Sequence, residues 1–297
     1  MRYMAGSILA TTSLFLLIII PSGCKTEPVV AKENIRNTAP LPGMIEIPAG
    51  WFWMGCNPKI DAECEDNEKP GRKVYLDAYW IDQTEVTVEE YSKCVEANRC
   101  SRPKPMKISR DKTSGPLDPP NSYKYCNWKR PGGSKHPINC IAWNDAKDYC
   151  QWAGKRLPTE AEWEKAARGD DGRKYPWGND PLSCQYAIID DGGAGCGRNS
   201  TWPVCSKKKG NSSYGICDMA GNVSEFVSDR FNQKIYSTAS NKNPERFAKG
   251  TDTVLRGSAL DFPASKPGLH RLSIRDLANI DAWHGNVGFR CALSPEN

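Results

Sequence analysis

Cysteines say most about the chemistry of this chain, because thiols form disulfides, bind soft metal ions or act as nucleophiles. The 297 residues include 13 cysteines and 3 histidines but none of the CxxC pairs of structural zinc sites, so a zinc site is not predicted. If Cys24 belongs to an export signal, an even number remains, which in an oxidising compartment favours disulfides. The remaining cysteines are Cys56, Cys64, Cys94, Cys100, Cys126, Cys140, Cys150, Cys184, Cys196, Cys205, Cys217 and Cys291.

The N-terminus has the composition of an export signal. Arg2 precedes an apolar run that ends at Ile20, and Pro21-Ser22-Gly23-Cys24 follows. The small residues before Cys24 are typical of a bacterial lipoprotein signal, so we predict a signal peptide at 1–23 and lipidation of Cys24. Pro21 departs from that pattern, and the alternative is an ordinary signal peptide cut nearby. Lipidation predicts an exported protein of the bacterial cell envelope, held on the membrane through its lipid anchor at the outer membrane or cell surface.

The charge balance gives no reason to expect a nucleic-acid partner. The formal net charge is +5, which is small for this length. The one basic triplet is Lys207-Lys208-Lys209, and such a run is more common on a solvated loop than on a nucleic-acid surface. We therefore predict no nucleic-acid partner.

The helices and strands that must position the cysteines are predicted to be short and separated by long loops. Residues 24–43 are polar and lack periodicity, which predicts a flexible tether, and 44–297 then form one domain. Thr159 and Glu162 form a capping box that predicts a helix ending at Gly169. Further predicted elements are a helix after the capping box Thr87-Val88-Glu89-Glu90 to about Ala97, a helix Asp145–Ala153 capped by Asn144, and strands at Met44–Pro48, Trp51–Gly55 and Lys73–Ile81.

Several blocks of sequence cover nearly all of 44–297. They include Ile45–Gly50, Pro70–Tyr79, Asp82–Tyr91, Trp143–Ala146, Gly154–Gly169, Cys217–Phe226, Leu255–Ser258 and Gly288–Ala292. Together, and in this order, these blocks resemble the sulfatase-modifying-factor family, whose best-known member is the formylglycine-generating enzyme. The resemblance implies an α+β fold, namely the C-type-lectin-like formylglycine-generating-enzyme fold, which is loop-rich, low in regular secondary structure and here disulfide-stapled.

The resemblance also implies a disulfide between Cys150 and Cys291. The short spacing of Cys94 and Cys100 predicts a local disulfide after the helix that begins at the Thr87 capping box. Proximity makes Cys56–Cys64 and Cys126–Cys140 plausible pairs, and the pairing of Cys184, Cys196, Cys205 and Cys217 stays open.

A structural calcium site is implied at 218–225, where the family has one. By position, Asp218 and Glu225 would offer carboxylates, while Gly221 and Val223 would offer main-chain carbonyls. Calcium takes oxygen ligands of these kinds, and a tight glycine-containing turn can bring them together. The alternative is an ordinary surface turn with a solvated Glu225.

The family's reaction depends on two cysteines that bind copper as thiolates, and soft thiolates select Cu(I). The corresponding segment of this chain, 259–271, contains no cysteine. The pair would fall among Asp261, Phe262, Lys266 and Pro267, none of which replaces a thiolate. We therefore expect no copper and no catalytic residues of the family's kind. The alternative centre is iron held by His270 and His284 with Asp261 or Asp276, although such histidines are more often simply hydrogen-bonded.

Basic and aromatic residues near the C-terminus are candidates for a ligand groove. Phe262, Arg271, Arg275 and Trp283 could hold a peptide backbone or carboxylate, since guanidinium groups form paired hydrogen bonds with carboxylates. Buried ion pairing that braces the fold is the alternative, and it stays open for Arg271 and Arg275.

Arg256 and Arg290 could likewise line the groove or brace the fold through buried ion pairs. For Arg290 the bracing role is favoured. The acids considered as partners are Glu162, Glu164 and Asp145.

These observations predict a non-catalytic envelope lipoprotein that binds a protein or glycan partner. One alternative is an oxidoreductase that acts on secreted proteins through a non-thiolate metal centre. Another is a ligand-display protein whose loop at 259–283 varies between strains.

Overall fold

The computed structural model describes residues 41–60, 64–103, 122–231, 240–245 and 252–295. The predicted signal peptide, Cys24 and nearly all of the predicted tether lie outside these ranges. Within them, no helix has the length and apolar character needed to cross a membrane.

The described residues include three short α-helices, and two of them begin at the capping boxes found in the sequence. Helix α1 is Val88–Glu96, α2 is Trp143–Trp152 and α3 is Glu160–Arg168. The side chains of Thr87 and Thr159 accept hydrogen bonds from main-chain N–H groups three residues ahead, which confirms both capping boxes.

Helix α2 starts earlier than predicted, and Asn144 is not its cap. Ala142 occupies the N-cap position, and its main-chain N–H donates to Asp145 Oδ2 at 3.0 Å. The carboxylate of Asp145, in the first turn, thus accepts a hydrogen bond from the main-chain N–H at the start of the helix.

In the part of the chain that the structure describes, nine strands form three sheets, consistent with the predicted α+β class. The order in the sheets is β1-β4-β9, β2-β3 and β7-β6-β5-β8, and β5 and β8 are parallel. The strands are β1 Met44–Ile47, β2 Gly50–Met54, β3 Arg72–Leu76, β4 Tyr79–Asp82, β5 Ser224–Arg230, β6 Asp252–Arg256, β7 Asp276–Asn279, β8 Val287–Gly288 and β9 Ala292–Leu293.

The single strand predicted at Lys73–Ile81 is two strands in different sheets, so that prediction was wrong. The chain turns between β3 and β4, where the main-chain N–H of Asp77 donates to Asn243 Oδ1 at 2.9 Å. Asn243 Nδ2 in turn donates to Asp77 Oδ2 at 2.6 Å. A distant asparagine therefore fixes the break, which the local alternation of side chains does not reveal.

Helix α3 lies in the centre of the domain, against β2, β3, β5 and β6. All nine of its residues are buried, including five charged ones. Trp163 is fully buried, and its indole N–H donates to Glu225 Oε2 on β5 at 2.9 Å. Because buried charges need partners, this helix requires arginines and carboxylates from other parts of the chain around it.

Candidate functional site

The segment 259–271, where the family's copper cysteines would lie, is packed into the domain. Ala259, Leu260 and Phe262 are buried in one apolar cluster. The main chain is held from the side by Asp190, whose N–H donates to Phe262 O and whose carbonyl accepts from Ala264 N. The segment is thus a braced part of the fold.

All twelve cysteines in the described residues form disulfides, so none of them offers a thiolate to copper. Cys150–Cys291 and Cys94–Cys100 are present as predicted, as are the pairs suggested by proximity. The four cysteines that the sequence could not pair are joined as Cys184–Cys196 and Cys205–Cys217.

His270 closes the segment and is fully buried. Its Nδ1 lies 2.7 Å from Ser258 Oγ and its Nε2 lies 3.3 Å from the carbonyl oxygen of Pro263. Burial lowers the pKa of His270 to about 4. Both ring nitrogens have hydrogen-bonding partners, which argues against His270 as a ligand of an iron centre.

Acid should destabilise the protein through His270. Its pKa is about 4 in the fold against an ordinary value of 6.5, so the unfolded chain takes up the proton first. The contribution of neutral His270 to the free energy of unfolding is complete above pH 6.5 and is lost as the pH falls toward 4. The difference between the two pKa values corresponds to about 3 kcal/mol. Denaturant unfolding of His270→Asn, which keeps a polar group near Ser258, should therefore show a weaker pH dependence than the wild type over this range. Parallel curves would contradict the assignment.

The predicted ligand groove needs correction, because three of its four side chains are buried. Arg271 pairs with Glu68 at 2.7 Å, and Arg275 pairs with Glu160 at 2.6 Å. Phe262 packs inside the domain with its ring against that of His270. Only Trp283 of the four is partly exposed. The question left open for Arg271 and Arg275 is thus answered in favour of bracing.

The other two arginines also brace the fold, and their partners include Glu160 and Glu225, which the sequence did not suggest. Arg256 donates to Glu164 Oε2 at 2.6 Å, which is among the predicted partners. Arg290 instead forms paired hydrogen bonds of 2.7 Å with both oxygens of Glu225. It also donates to the carbonyl oxygens of Asp82, Gln83 and Cys217.

Three buried carboxylates surround Arg290, which is the region of the predicted calcium site. The carboxylates of Glu85, Asp218 and Glu225 are close enough to interact electrostatically with one another. Burial raises the pKa of Glu85, and the neighbouring charge of Asp218 raises it further. Glu85 Oε1 accepts from Asn222, whereas Oε2 has no hydrogen-bond partner among the described residues. One arginine cannot balance three ionised carboxylates, and the raised pKa of both Glu85 and Asp218 favours their neutral forms unless a further cation is present.

This cluster fits calcium in charge and in donor type, with one correction to the predicted ligands. Both oxygens of Glu225 are held by Arg290, so Glu85 is the carboxylate with a free oxygen beside Asp218. No three His, Cys, Asp or Glu side chains within the described ranges converge as a ready ligand set. An ion here would therefore also need main-chain carbonyls, for which Gly221 and Val223 remain the candidates.

Sequence reasoning missed the acids Glu68, Glu85 and Glu160. Glu85 precedes a capping box, and Glu160 is in the first turn of a helix, where acids are ordinarily solvated. A signal was available for Glu85, because it lies in a block that carries the family resemblance.

Comparison with known proteins identifies the family. Residues 30–295 match the family described as the sulfatase-modifying factor enzyme 1-like domain. The formylglycine-generating enzyme of Streptomyces coelicolor is 33% identical over 285 residues, covering 84% of this chain and 88% of that protein. The Mus musculus enzyme is 32% identical over 292 residues, covering 85% of this chain and 75% of that protein. The chain belongs to the sulfatase-modifying-factor family.

A solved structure supports the fold independently. The structure of PvdO from Pseudomonas aeruginosa is 25% identical with a TM-score of 0.65, covering 84% of this chain and 94% of that one. The predicted C-type-lectin-like formylglycine-generating-enzyme fold is therefore confirmed.

Proposed function

We propose that this protein is a non-catalytic member of the family that binds a protein or glycan partner in the bacterial cell envelope. The observation that carries the proposal is the state of its cysteines: the segment 259–271 contains none, and every cysteine in the described residues is in a disulfide. The family framework is intact around a segment that lacks thiolates, which favours retention of binding without oxidation.

The envelope location rests on the N-terminal sequence. The apolar run and the Ser22-Gly23-Cys24 ending support export and lipidation of Cys24. Six disulfides agree with an oxidising compartment. Mass spectrometry of the mature N-terminus tests this directly, and an unmodified Cys24 would contradict lipid anchoring.

Crosslinking in intact envelopes tests the binding function. A single dominant protein recovered with the chain supports a protein partner, and a covalently captured saccharide supports a glycan. Recovery of neither, together with stoichiometric iron or copper in the purified chain, would instead support an enzyme with a non-thiolate centre.

Calcium is proposed as a structural ion at 218–225, held by Asp218 and the carbonyls of Gly221 and Val223, with Glu85 adjacent. The ion would balance the buried carboxylates and rigidify the turn before β5. Because calcium would bind the folded state alone, a concentration near 100 times Kd should add about 2.7 kcal/mol, or roughly 5–10 °C in Tm.

Thermal unfolding with calcium and with a chelator measures this effect. Asp218→Asn should lose most of the shift, whereas Asp281→Asn, which alters an exposed carboxylate, should keep it. An equal shift in both variants, or none in the wild type, would contradict the site.

A further inference from the structure

An open cleft of about 400 Å³ lies between α1 and the turn at 127–134. Helix α1 contributes Val88, Ser92 and Val95, whose spacing places them on one helical face. Trp128 and Ser134 lie on the opposite side. The volume is near the lower end of the range for small-molecule pockets, about 300–1,000 Å³.

The two walls are fixed to each other, so the cleft is preformed. The main-chain N–H groups of Val88 and Glu89 donate to the carbonyls of His136 and Ser134, both at 2.9 Å. The indole of Trp128 packs edge-on against Tyr91, with ring centroids 6.2 Å apart. A preformed site loses little conformational entropy when a ligand binds.

The base of the turn is equally constrained. The disulfide Cys126–Cys140 closes it. Asn127 is fully buried, and its side-chain amide donates to the carbonyl of Pro137 and to Thr201 Oγ1. The side chains at the tip of the turn therefore stand on a rigid support.

The rim of the cleft is positively charged. Arg102, Lys129 and Arg130 line it and are exposed, whereas Glu96 is the acid among the lining residues. None of the three cations forms an ion pair with a residue in the described part of the chain. Residues 122–137 include 4 Lys or Arg and no Asp or Glu. Besides burial, the charge of Arg130 lowers the pKa of His136 behind the turn, which reports the same positive potential.

We propose that this cleft binds an acidic saccharide, a sugar ring that carries a carboxylate or a sulfate ester. Arg130 and Lys129 would hold the anionic group, the indole of Trp128 would pack against the ring, and Ser92 and Ser134 would meet its hydroxyls. An inorganic anion would leave the apolar walls unused, and a neutral sugar would leave the cations without a partner. The inference rests on the proposed binding function, to which it gives a location and a ligand class.

Titration of the full chain with four probes tests the cleft. The probes are glucuronic acid, N-acetylglucosamine 6-sulfate, uncharged N-acetylglucosamine and sodium sulfate, with Kd measured by NMR. One or both acidic sugars should bind at least tenfold more tightly than the neutral sugar and than sulfate, and the preferred one identifies the anionic group. Binding should weaken as ionic strength rises.

Variants with matched charge changes decide the location. Lys129→Gln/Arg130→Gln should weaken binding at least tenfold, whereas Lys124→Gln/Lys135→Gln, in the same segment but outside the lining, should leave it unchanged. Equal affinities in both double variants would overturn the cleft while leaving saccharide binding by the chain, and with it the proposed function, in place. Tight binding of the neutral sugar would overturn the acidic ligand class in favour of a neutral glycan. Binding of none of the sugars would also overturn it and leave a protein partner to be found by crosslinking.

Discussion

Replacing Arg290 with methionine should lower the free energy of unfolding by about 3–5 kcal/mol, because it leaves buried carboxylates without their cation. Both Arg290 and Glu225 are fully buried and share two hydrogen bonds of 2.7 Å. The substitution also removes the donor to three main-chain carbonyls. Urea unfolding in the presence of a chelator measures the loss without interference from calcium.

An exposed pair of similar geometry provides the control. Arg173 also forms several hydrogen bonds with one carboxylate, that of Asp171, but the side chains are 22% and 51% exposed. Arg173→Met should therefore cost no more than about 1 kcal/mol. Equal losses of unfolding free energy in the two variants would show that burial does not determine how much the Arg290–Glu225 pair stabilises the fold.

Removing the Cys150–Cys291 disulfide should destabilise the domain by about 4–5 kcal/mol. The bond joins α2 to the segment before β9 across 141 positions, and closure of a long loop restricts the unfolded chain most. The two disulfides within the loop shorten it only slightly. Unfolding of Cys150→Ser/Cys291→Ser against the wild type measures the effect.

Cys94→Ser/Cys100→Ser is the matched control, since it removes a disulfide with a separation of only 6. The same loop-closure argument gives a loss of about 2 kcal/mol. A larger loss from the short loop than from the long one would contradict the expectation that loop length sets the order.

Local signals in the sequence predicted the local features of the structure well. The capping boxes at Thr87 and Thr159 placed two helix starts, because the interactions that fix a helix end lie within four residues. The close spacing of Cys94 and Cys100 predicted their disulfide for the same reason. The family blocks supplied the long-range pair Cys150–Cys291, which spacing alone does not give.

The partners of the arginines were not predictable, because they lie far away in the sequence. Arg271 pairs with Glu68, which is 203 positions away in the sequence, and Arg275 pairs with Glu160, which is 115 positions away. A lone arginine in an irregular segment has the same local appearance whether it faces a ligand or a buried acid. The cleft beside α1 was missed because its two walls come from segments without any shared sequence pattern.

An assay for formylglycine tests whether this protein has lost the family's oxidation, as we propose. The purified chain, supplied with Cu(I), oxygen and a peptide that carries the substrate cysteine of a sulfatase, is compared with the Streptomyces coelicolor enzyme under the same conditions. We predict that the relative forms the aldehyde and that this chain forms none above background. Aldehyde formed by this chain, at a rate that depends on added copper, would contradict the proposed loss of oxidation.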